Sequence, residues 1–332
     1  MEYIVITRPE LSSKSNSDLN NALLENECRC YAIHSTNMDQ SAANNSSILH
    51  IEEAVSAIDS EDSTAKEPQR PFDYLIDVQR TAQECREEFL APQRSAKWHA
   101  ARKYTLTASN FGSAAGHNRY CSPQQCAIEK VKNEFQGNEA TAYGTLHEPD
   151  ARNFLVKLLD HELRATLEDQ YAKDTGGTYK EFELEECGLM KHSDQPWMGA
   201  SPDGILKLNG SMGPTWILIE YKCPFSKKDS SEHPYKMYPK KIPEYYYDQI
   251  QGIMGYLQKF KDSDQYRKIN ACFFVVWQPK QMHVSKFLYD AEYYTNLESL
   301  LKKWYFELYL PLAMPLNMPK KAEETENLKI YF

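Results

Sequence analysis

The chain has no apolar stretch long enough to cross a bilayer. Its longest apolar run, Ala271-Cys272-Phe273-Phe274-Val275-Val276-Trp277, suits a buried strand. It falls far short of the ~20 residues a membrane helix needs. The opening residues, MEYIVITRPELSSK, lack the basic-then-apolar order of a secretory signal. A soluble, intracellular protein with no membrane partner is expected. Repeated Cys or His pairs are missing as well. Cys28 and Cys30 stand in a polar tail, Cys121 and Cys126 have no second pair, and the other cysteines are isolated. Structural zinc sites repeat close pairs, so reduced thiols are expected instead. Nor does the chain repeat itself at the roughly 20–50-residue period of a solenoid or propeller.

An excess of positive charge is also lacking. The formal charge is −9, which by itself argues against a polyanionic partner. Its location changes that reading. Residues 1–70 hold 12 acids and 5 bases, a net of −7, which leaves −2 for residues 71–332. Within Lys222–Lys241 there are six Lys against Asp229 and Glu232. Local charge governs the encounter with phosphate more than the net sum does. A solvated Lys-rich loop is the plain alternative.

What is present is a globular mixture, with 41% hydrophobic and 26% charged residues. Residues 1–70, rich in Ser, Asn and acids, read as a disordered or loosely attached extension. Residues 71–314 read as one domain and 315–332 as a tail. Helical spacing runs over 79–90, 122–135, 140–160, 243–260 and 291–309, with Ser122-Pro123 as a cap and first-turn pair. Strands are predicted at 164–171, 185–191, 197–206, 216–222, 269–277 and 282–289, with turns at Gly176-Gly177 and Asn209-Gly210. Helices lead, strands follow, and a helix intervenes before further strands. That order predicts an α/β domain with a central mixed sheet flanked by helices.

Three segments carry chemistry. In Ser201-Pro202-Asp203-Gly204, the Pro and Gly mark a bend that fixes a carboxylate beside a strand. In Trp216-Ile217-Leu218-Ile219-Glu220-Tyr221-Lys222, alternation puts Glu220 and Lys222 on one face of a covered strand. A hairpin between the two segments would unite Asp203, Glu220 and Lys222. Two carboxylates supply hard oxygen ligands for Mg²⁺ or Mn²⁺, and the lysine can orient water and stabilise phosphate charge. A Glu–Lys ion pair at a strand end is the alternative. In the third segment, Glu148 shares a helical stripe with Gly144, Ala151, Leu155 and Leu159. That inward carboxylate is either a further metal ligand or a core-edge Glu paired to an Arg. On the 243–260 helix, Gln249 falls with Tyr245, Gly252 and Tyr256 off the main apolar stripe, where it could reach the metal site or a DNA backbone. Tyr235, Tyr238, Tyr245 and Tyr247 can stack on bases or pack against a helix.

These residues resemble the PD-(D/E)XK nuclease superfamily, through Pro202-Asp203, Glu220-x-Lys222 and Glu148. Trp98-His99-x-x-Arg102, Leu106–Gly112, the Gly144–Ala151 segment and Tyr246-Tyr247-x-Gln249-x-Gln251 resemble its YqaJ-like viral recombinase, or lambda exonuclease, branch. The resemblance implies a restriction-endonuclease-like core and a metal-dependent DNA nuclease, a 5′→3′ exonuclease resecting duplex ends. It implies a divalent ion held by Glu148, Asp203, Glu220 and the main-chain carbonyl of Tyr221. Arg102 and Ser109 would bind the terminal 5′-phosphate, where a surface salt bridge and a helix cap are the alternatives. A single-strand annealing partner and a trimeric ring are further implications. An endonuclease of the same superfamily and an inactive DNA-binding module remain the competing functions. Tyr221 stands where smaller aliphatic residues are familiar, but only its carbonyl need act.

Overall fold

The computed structural model describes residues 2–7, 29–35, 91–132, 137–192, 195, 197–225, 242–259, 266–279 and 281–317. Two strands, β1 (Glu2–Thr7) and β2 (Arg29–Ser35), fall inside the extension expected to be disordered. β1 pairs antiparallel with the late strand Gln281–Leu288, and β2 pairs antiparallel with β1. The physical reason is twofold. The Ile4-Val5-Ile6-Thr7 run favours extended backbone, and the late strand would otherwise present an unpaired edge. The rest of residues 1–70 and the predicted 79–90 helix lie outside the described residues.

A helical layer follows. In α1 (Ala96–Arg102), the Ser95 hydroxyl accepts from the Trp98 amide. A short strand, β3 (Leu106–Thr107), and α2 (Phe111–Ala114) lead to α3 (Pro123–Lys132), which starts at the predicted Ser-Pro pair. The long helix α4 (Glu139–Asp160) is capped by a reciprocal Asn138–Thr141 box. Its stripe of Ala151, Leu155 and Leu159 is buried, as its spacing predicts.

The predicted strand at 164–171 is instead the first part of a helix, α5 (Arg164–Thr175). Leu163, Leu167 and Tyr171 recur every fourth residue and are all buried, a helical period. Gly176, at φ 72°, is the left-handed cap of this helix and no hairpin turn. The strand lies later, at β4 (Tyr179–Glu185), and the predicted 185–191 strand shrinks to β5 (Met190–Lys191). The 197–206 strand is broken at Pro202-Asp203 into β6 (Met198–Ala200) and β7 (Gly204–Gly210). Asn209-Gly210 ends β7, and the chain turns beyond it into β8 (Thr215–Lys222). Then come α6 (Glu244–Gln258), β9 (Ala271–Gln278), β10 (Gln281–Leu288) and α7 (Ala291–Lys303). A π turn at Trp304–Tyr309 carries the last helix on into α8 (Leu310–Asn317), so regular structure passes the tail boundary expected at 315.

The main sheet has the order β2-β1-β10-β9-β8-β7-β4. β8 and β9 run parallel while their neighbours are antiparallel, so the sheet is mixed. A small sheet, β3-β6-β5, stands beside it. Both faces of the main sheet are covered. Ile217, Ile219 and Tyr221 of β8 pack with α4 and α5, whereas Trp216 and Leu218 face α6 and α7. Glu220 and Lys222 continue the second set by alternation. α6 is buried along nearly its whole length, and Gly252 makes this possible. A Cβ there would lie 2.3 Å from the Phe111 ring, so only glycine lets α2 press against α6.

Candidate active site

The β7–β8 hairpin sets Gly204 opposite Ile219, which brings the preceding Asp203 to the end of β8. Asp203 sits in a bend, and its Oδ2 accepts from the Tyr221 amide at 2.8 Å. The bend is held from outside as well. Gln93 Nε2 donates to the Pro202 carbonyl at 2.8 Å and to the Cys187 carbonyl at 2.9 Å. The Trp98 indole donates to Ser201 Oγ at 2.9 Å.

Glu220 is 1% exposed. Its Oε1 accepts from Lys222 Nζ at 2.6 Å and from Gln249 Nε2 at 2.5 Å, while Lys222 also donates to Gln249 Oε1 at 3.1 Å. Gln249 therefore closes a three-membered ring with the Glu-x-Lys pair, reaching it from α6. The second carboxylate oxygen, Glu220 Oε2, is buried with no hydrogen-bond partner. An unsatisfied buried oxygen of a charged group is costly, so it marks a place where a further positive group belongs.

The electrostatics agree. Burial, and then the Glu220 charge, push the Asp203 carboxyl well above its ordinary range. Glu148 adds to that rise, while Lys222 and the Tyr221 amide oppose it. Burial pulls the Lys222 ammonium down, but Glu220 and Asp203 outweigh it and the net shift is upward. The Asp203 and Glu220 carboxylates are close enough to disfavour one another's charge, and the Lys222 ammonium sits 2.6 Å from Glu220 Oε1. This arrangement fits a hard divalent cation, which would relieve the repulsion and satisfy Glu220 Oε2.

Glu148 stands near enough for its charge to act on Asp203, yet it is paired to Arg94, with Nη2 2.5 Å from Oε2. The pairing to an arginine is the second of the two sequence readings of Glu148. Among the described residues there is no ready-made group of three or more His, Cys, Asp or Glu side chains gathered as a metal site.

A second cluster forms where α1 meets β3. Arg102 Nη2 donates to Thr107 Oγ1 at 3.1 Å and Ser109 Oγ at 3.3 Å, and its guanidinium lies 4.0 Å above the Trp98 ring. These partners are hydroxyls and an aromatic face, not the carboxylate of a salt bridge. Burial lowers the Arg102 pKa to about 10. Lys130 of α3 donates to the Arg102 carbonyl at 3.3 Å, and burial together with the Arg102 and Lys191 charges lowers it to about 8. The two cations disfavour one another's charge, which an anion placed beside them would offset.

The predicted residues therefore fall in two linked groups: Asp203, Glu220, Lys222 and Gln249 with Glu148 alongside, and Arg102 with Ser109. Trp98 bridges them through Arg102 and Ser201. Gln93, Arg94 and Ser201 were missed as functional candidates. Ser201 stood inside the quoted motif, but the first two act over 109 and 54 residues of sequence, which no local pattern reveals. Of the stacking candidates, Tyr245 lies edge-on to Tyr120 and Tyr247 packs on Tyr293, while their neighbour Tyr246 packs on Phe274 with its ring centroid 5.0 Å from Lys222 Nζ. Tyr235, Tyr238 and the Lys-rich segment from 226 to 241 lie outside the described residues.

The sheet is mixed and flanked by helices, with an aspartate at a bend beside a Glu-x-Lys strand, an arrangement that resembles the PD-(D/E)XK nucleases. A family model, the YqaJ-like viral recombinase domain, matches residues 97–256. No curated protein matches the chain. Among solved structures, the chain is similar to an alkaline exonuclease from Laribacter hongkongensis, with 23% identity and a TM-score of 0.43 over 66% of this chain and 94% of that one. The same figures hold for a complex of that exonuclease with dAMP.

Proposed function

We propose that the chain is a metal-dependent deoxyribonuclease that removes nucleotides from the 5′ ends of duplex DNA. The observation that carries this reading is the buried Glu220 carboxylate, with one oxygen unpartnered, packed against Asp203 and Lys222. Asp203, Glu220, the Tyr221 carbonyl and, directly or through water, Glu148 would hold Mg²⁺ or Mn²⁺, which supplies acidified water and neutralises the leaving oxygen. Lys222 orients the attacking water and carries positive charge to the phosphate as negative charge builds on it. Gln249 is a positioning residue, fixing the Lys222 ammonium against Glu220.

The Arg102–Ser109 cluster supports the choice of end-directed cutting. A guanidinium and a hydroxyl at hydrogen-bond distance, with Lys130 behind them, suit a phosphate dianion. If resection is the role, a protein that anneals the exposed single strand is the expected partner.

End-labelled linear and closed circular duplexes, incubated with Mg²⁺ or a chelator, test the proposal. Linear duplex should be degraded only with Mg²⁺, and a 5′-phosphorylated end about ten- to a hundredfold faster than a 5′-hydroxyl end, from a charge-assisted contact of ~1.5–3 kcal/mol. Arg102→Ala should erase that preference and keep metal dependence. Brisk cutting of closed circles would replace the exonuclease reading with an endonuclease. Turnover in chelator would remove the metal-dependent site altogether.

A further inference from the structure

Cys121 and Cys126, with no second pair to make a zinc site, are expected as reduced thiols, and their place in the fold gives those thiols a particular chemistry. Ser122 caps α3: its hydroxyl accepts from the Gln125 amide at 3.2 Å and its carbonyl from the Cys126 amide at 2.9 Å. Cys121 is therefore the residue before the cap, and Cys126 is the fourth residue of the helix. Those two positions are where an apolar pair normally meets to fix the entry of the chain into a helix. Here two thiols take those positions, Cys126 within the core and Cys121 packed against it.

Their neighbourhood is rigid. The Cys121 amide donates to Asn118, whose side chain donates to Ser113 Oγ at 2.9 Å, and the Trp304 indole clamps the Pro123 carbonyl at 2.8 Å. The two thiols differ in access. Cys121 is partly exposed, whereas Cys126 is buried, as are Cys187, Cys223 and Cys272. They differ in acidity too. The neighbouring Cys126 thiol outweighs burial and brings Cys121 down to about 7, with help from Ser113. Burial pushes Cys187 and Cys223 up to about 12. An accessible thiolate beside a buried resolving thiol has the layout of a reversible oxidation site.

We propose that Cys121 and Cys126 form a reversible thiol–disulfide pair, in which hydroperoxides oxidise Cys121 and Cys126 resolves it. In the first step the Cys121 sulfur attacks the peroxide. An S–O bond forms, the O–O bond breaks, and the departing hydroxide takes up the thiol proton to leave water. In the second, the Cys126 sulfur displaces the sulfenic oxygen. The S–S bond forms, the S–O bond breaks, and the Cys126 proton leaves with the oxygen as a second water. Two thiols and hydrogen peroxide thus give one disulfide and two waters, and a dithiol reductant reverses the change. The inference is independent of the nuclease reading.

Peptide mapping of the intact chain tests it. After brief peroxide treatment, alkylation and trypsin digestion, the peptide Tyr120–Lys130 should be unalkylated and lighter by two hydrogens, and prior reduction should restore both alkylation sites. Before oxidation, iodoacetamide at neutral pH should label Cys121 at least about tenfold faster than Cys187. In Cys126→Ser, the disulfide should be absent and Cys121 should instead accept a sulfenic-acid reagent. If that variant melts early, Cys126→Ala serves the same purpose. A Tyr120–Lys130 peptide that stays fully alkylated while other cysteines of the chain oxidise would overturn the proposal. So would a Cys121 that labels no faster than Cys187.

Discussion

Asp203→Asn should trade activity for stability, with a sign that depends on pH and metal. The asparagine keeps an oxygen for the Tyr221 amide, so the bend at Pro202-Asp203 survives the change. What disappears is a negative charge that burial and Glu220 disfavour. In the unfolded chain an aspartate ionises near pH ~3.9. In the fold Asp203 holds its proton to a higher pH, so the folded state binds more protons and stability falls as pH rises through that window. The variant has no such proton to lose. Its advantage should therefore vanish below about pH 4 and be complete above the raised value. Asp203 is half-buried, so removing its charge falls at the lower end of the scale of about 1–4 kcal/mol for poorly compensated buried charge. At ~2–4 °C per kcal/mol, the melting temperature in chelator at pH 8 should rise by at least about 2 °C. Mg²⁺ should stabilise the wild type by mass action and the variant much less, and the variant should not cut DNA. Melting scans at two pH values, with and without Mg²⁺, read all four numbers. A variant less stable than wild type at pH 8 in chelator, or one equally stabilised by Mg²⁺, would refute the reasoning.

Three other changes probe the surroundings of the site. Glu148→Gln breaks a partly exposed pair with Arg94 that is worth under ~1 kcal/mol, so melts should barely move. The Mg²⁺ needed for half-maximal cleavage should rise about tenfold, a factor equal to ~1.4 kcal/mol of ligand affinity. Gly252→Ala drives a Cβ to within 2.3 Å of the Phe111 ring; it should cost about 1–3 kcal/mol and, by shifting α6 and Gln249, slow cleavage more than the melt alone accounts for. Phe111→Leu in the same chain should restore part of that rate. For His117, burial pulls the imidazole down, but Asp248 at 3.0 Å and then Glu244 outweigh it and raise the pKa. Its stabilisation is complete below about pH 6.5 and is lost as pH climbs past the raised value, so His117→Gln should flatten the fall in melting temperature between about pH 6 and 8.

The parts of the site legible in the sequence are those set by short-range alternation. Trp216–Lys222 shows its strand, its two covered faces and the common face of Glu220 and Lys222, and Pro202-Asp203-Gly204 shows the bend before it. α6 was only half legible. Its apolar stripe was clear, but the face with Gln249, Gly252 and Tyr256 is equally buried. The reason is that Gly252 and Gly255 let Phe111 and Tyr294 close in, and glycines leave no mark in a hydrophobic pattern. Tyr256 is buried on that face with its hydroxyl satisfied, accepting from the His192 amide and donating to the Met198 carbonyl. α5 was misread because Leu163, Leu167 and Tyr171 had to be seen as one four-residue period running across a polar segment. The contacts of Gln93 and Arg94 were beyond reach, because they exist only once the chain has folded back on itself.

Those contacts also bear on how cutting relates to the DNA end. Gln93, Trp98 and Arg102 lie within ten residues of one another, on α1 and the turn before it. Gln93 and Trp98 bind the segment carrying Asp203, while Arg102 stacks on Trp98 and faces Ser109. The Arg102–Ser109 cluster and the Asp203 bend are thus joined by single hydrogen bonds and one ring. On the proposed reading, a phosphate held at Arg102 has a fixed distance to Asp203 and Glu220. A nuclease built in this way measures its cut from the end it holds. Trp98→Phe, which keeps the ring under Arg102 but removes the bond to Ser201, isolates that link. It should preserve the 5′-phosphate preference while broadening the sizes of released product beyond one length. A single product length from Trp98→Phe would mean that the Ser201 bond takes no part in setting the cut.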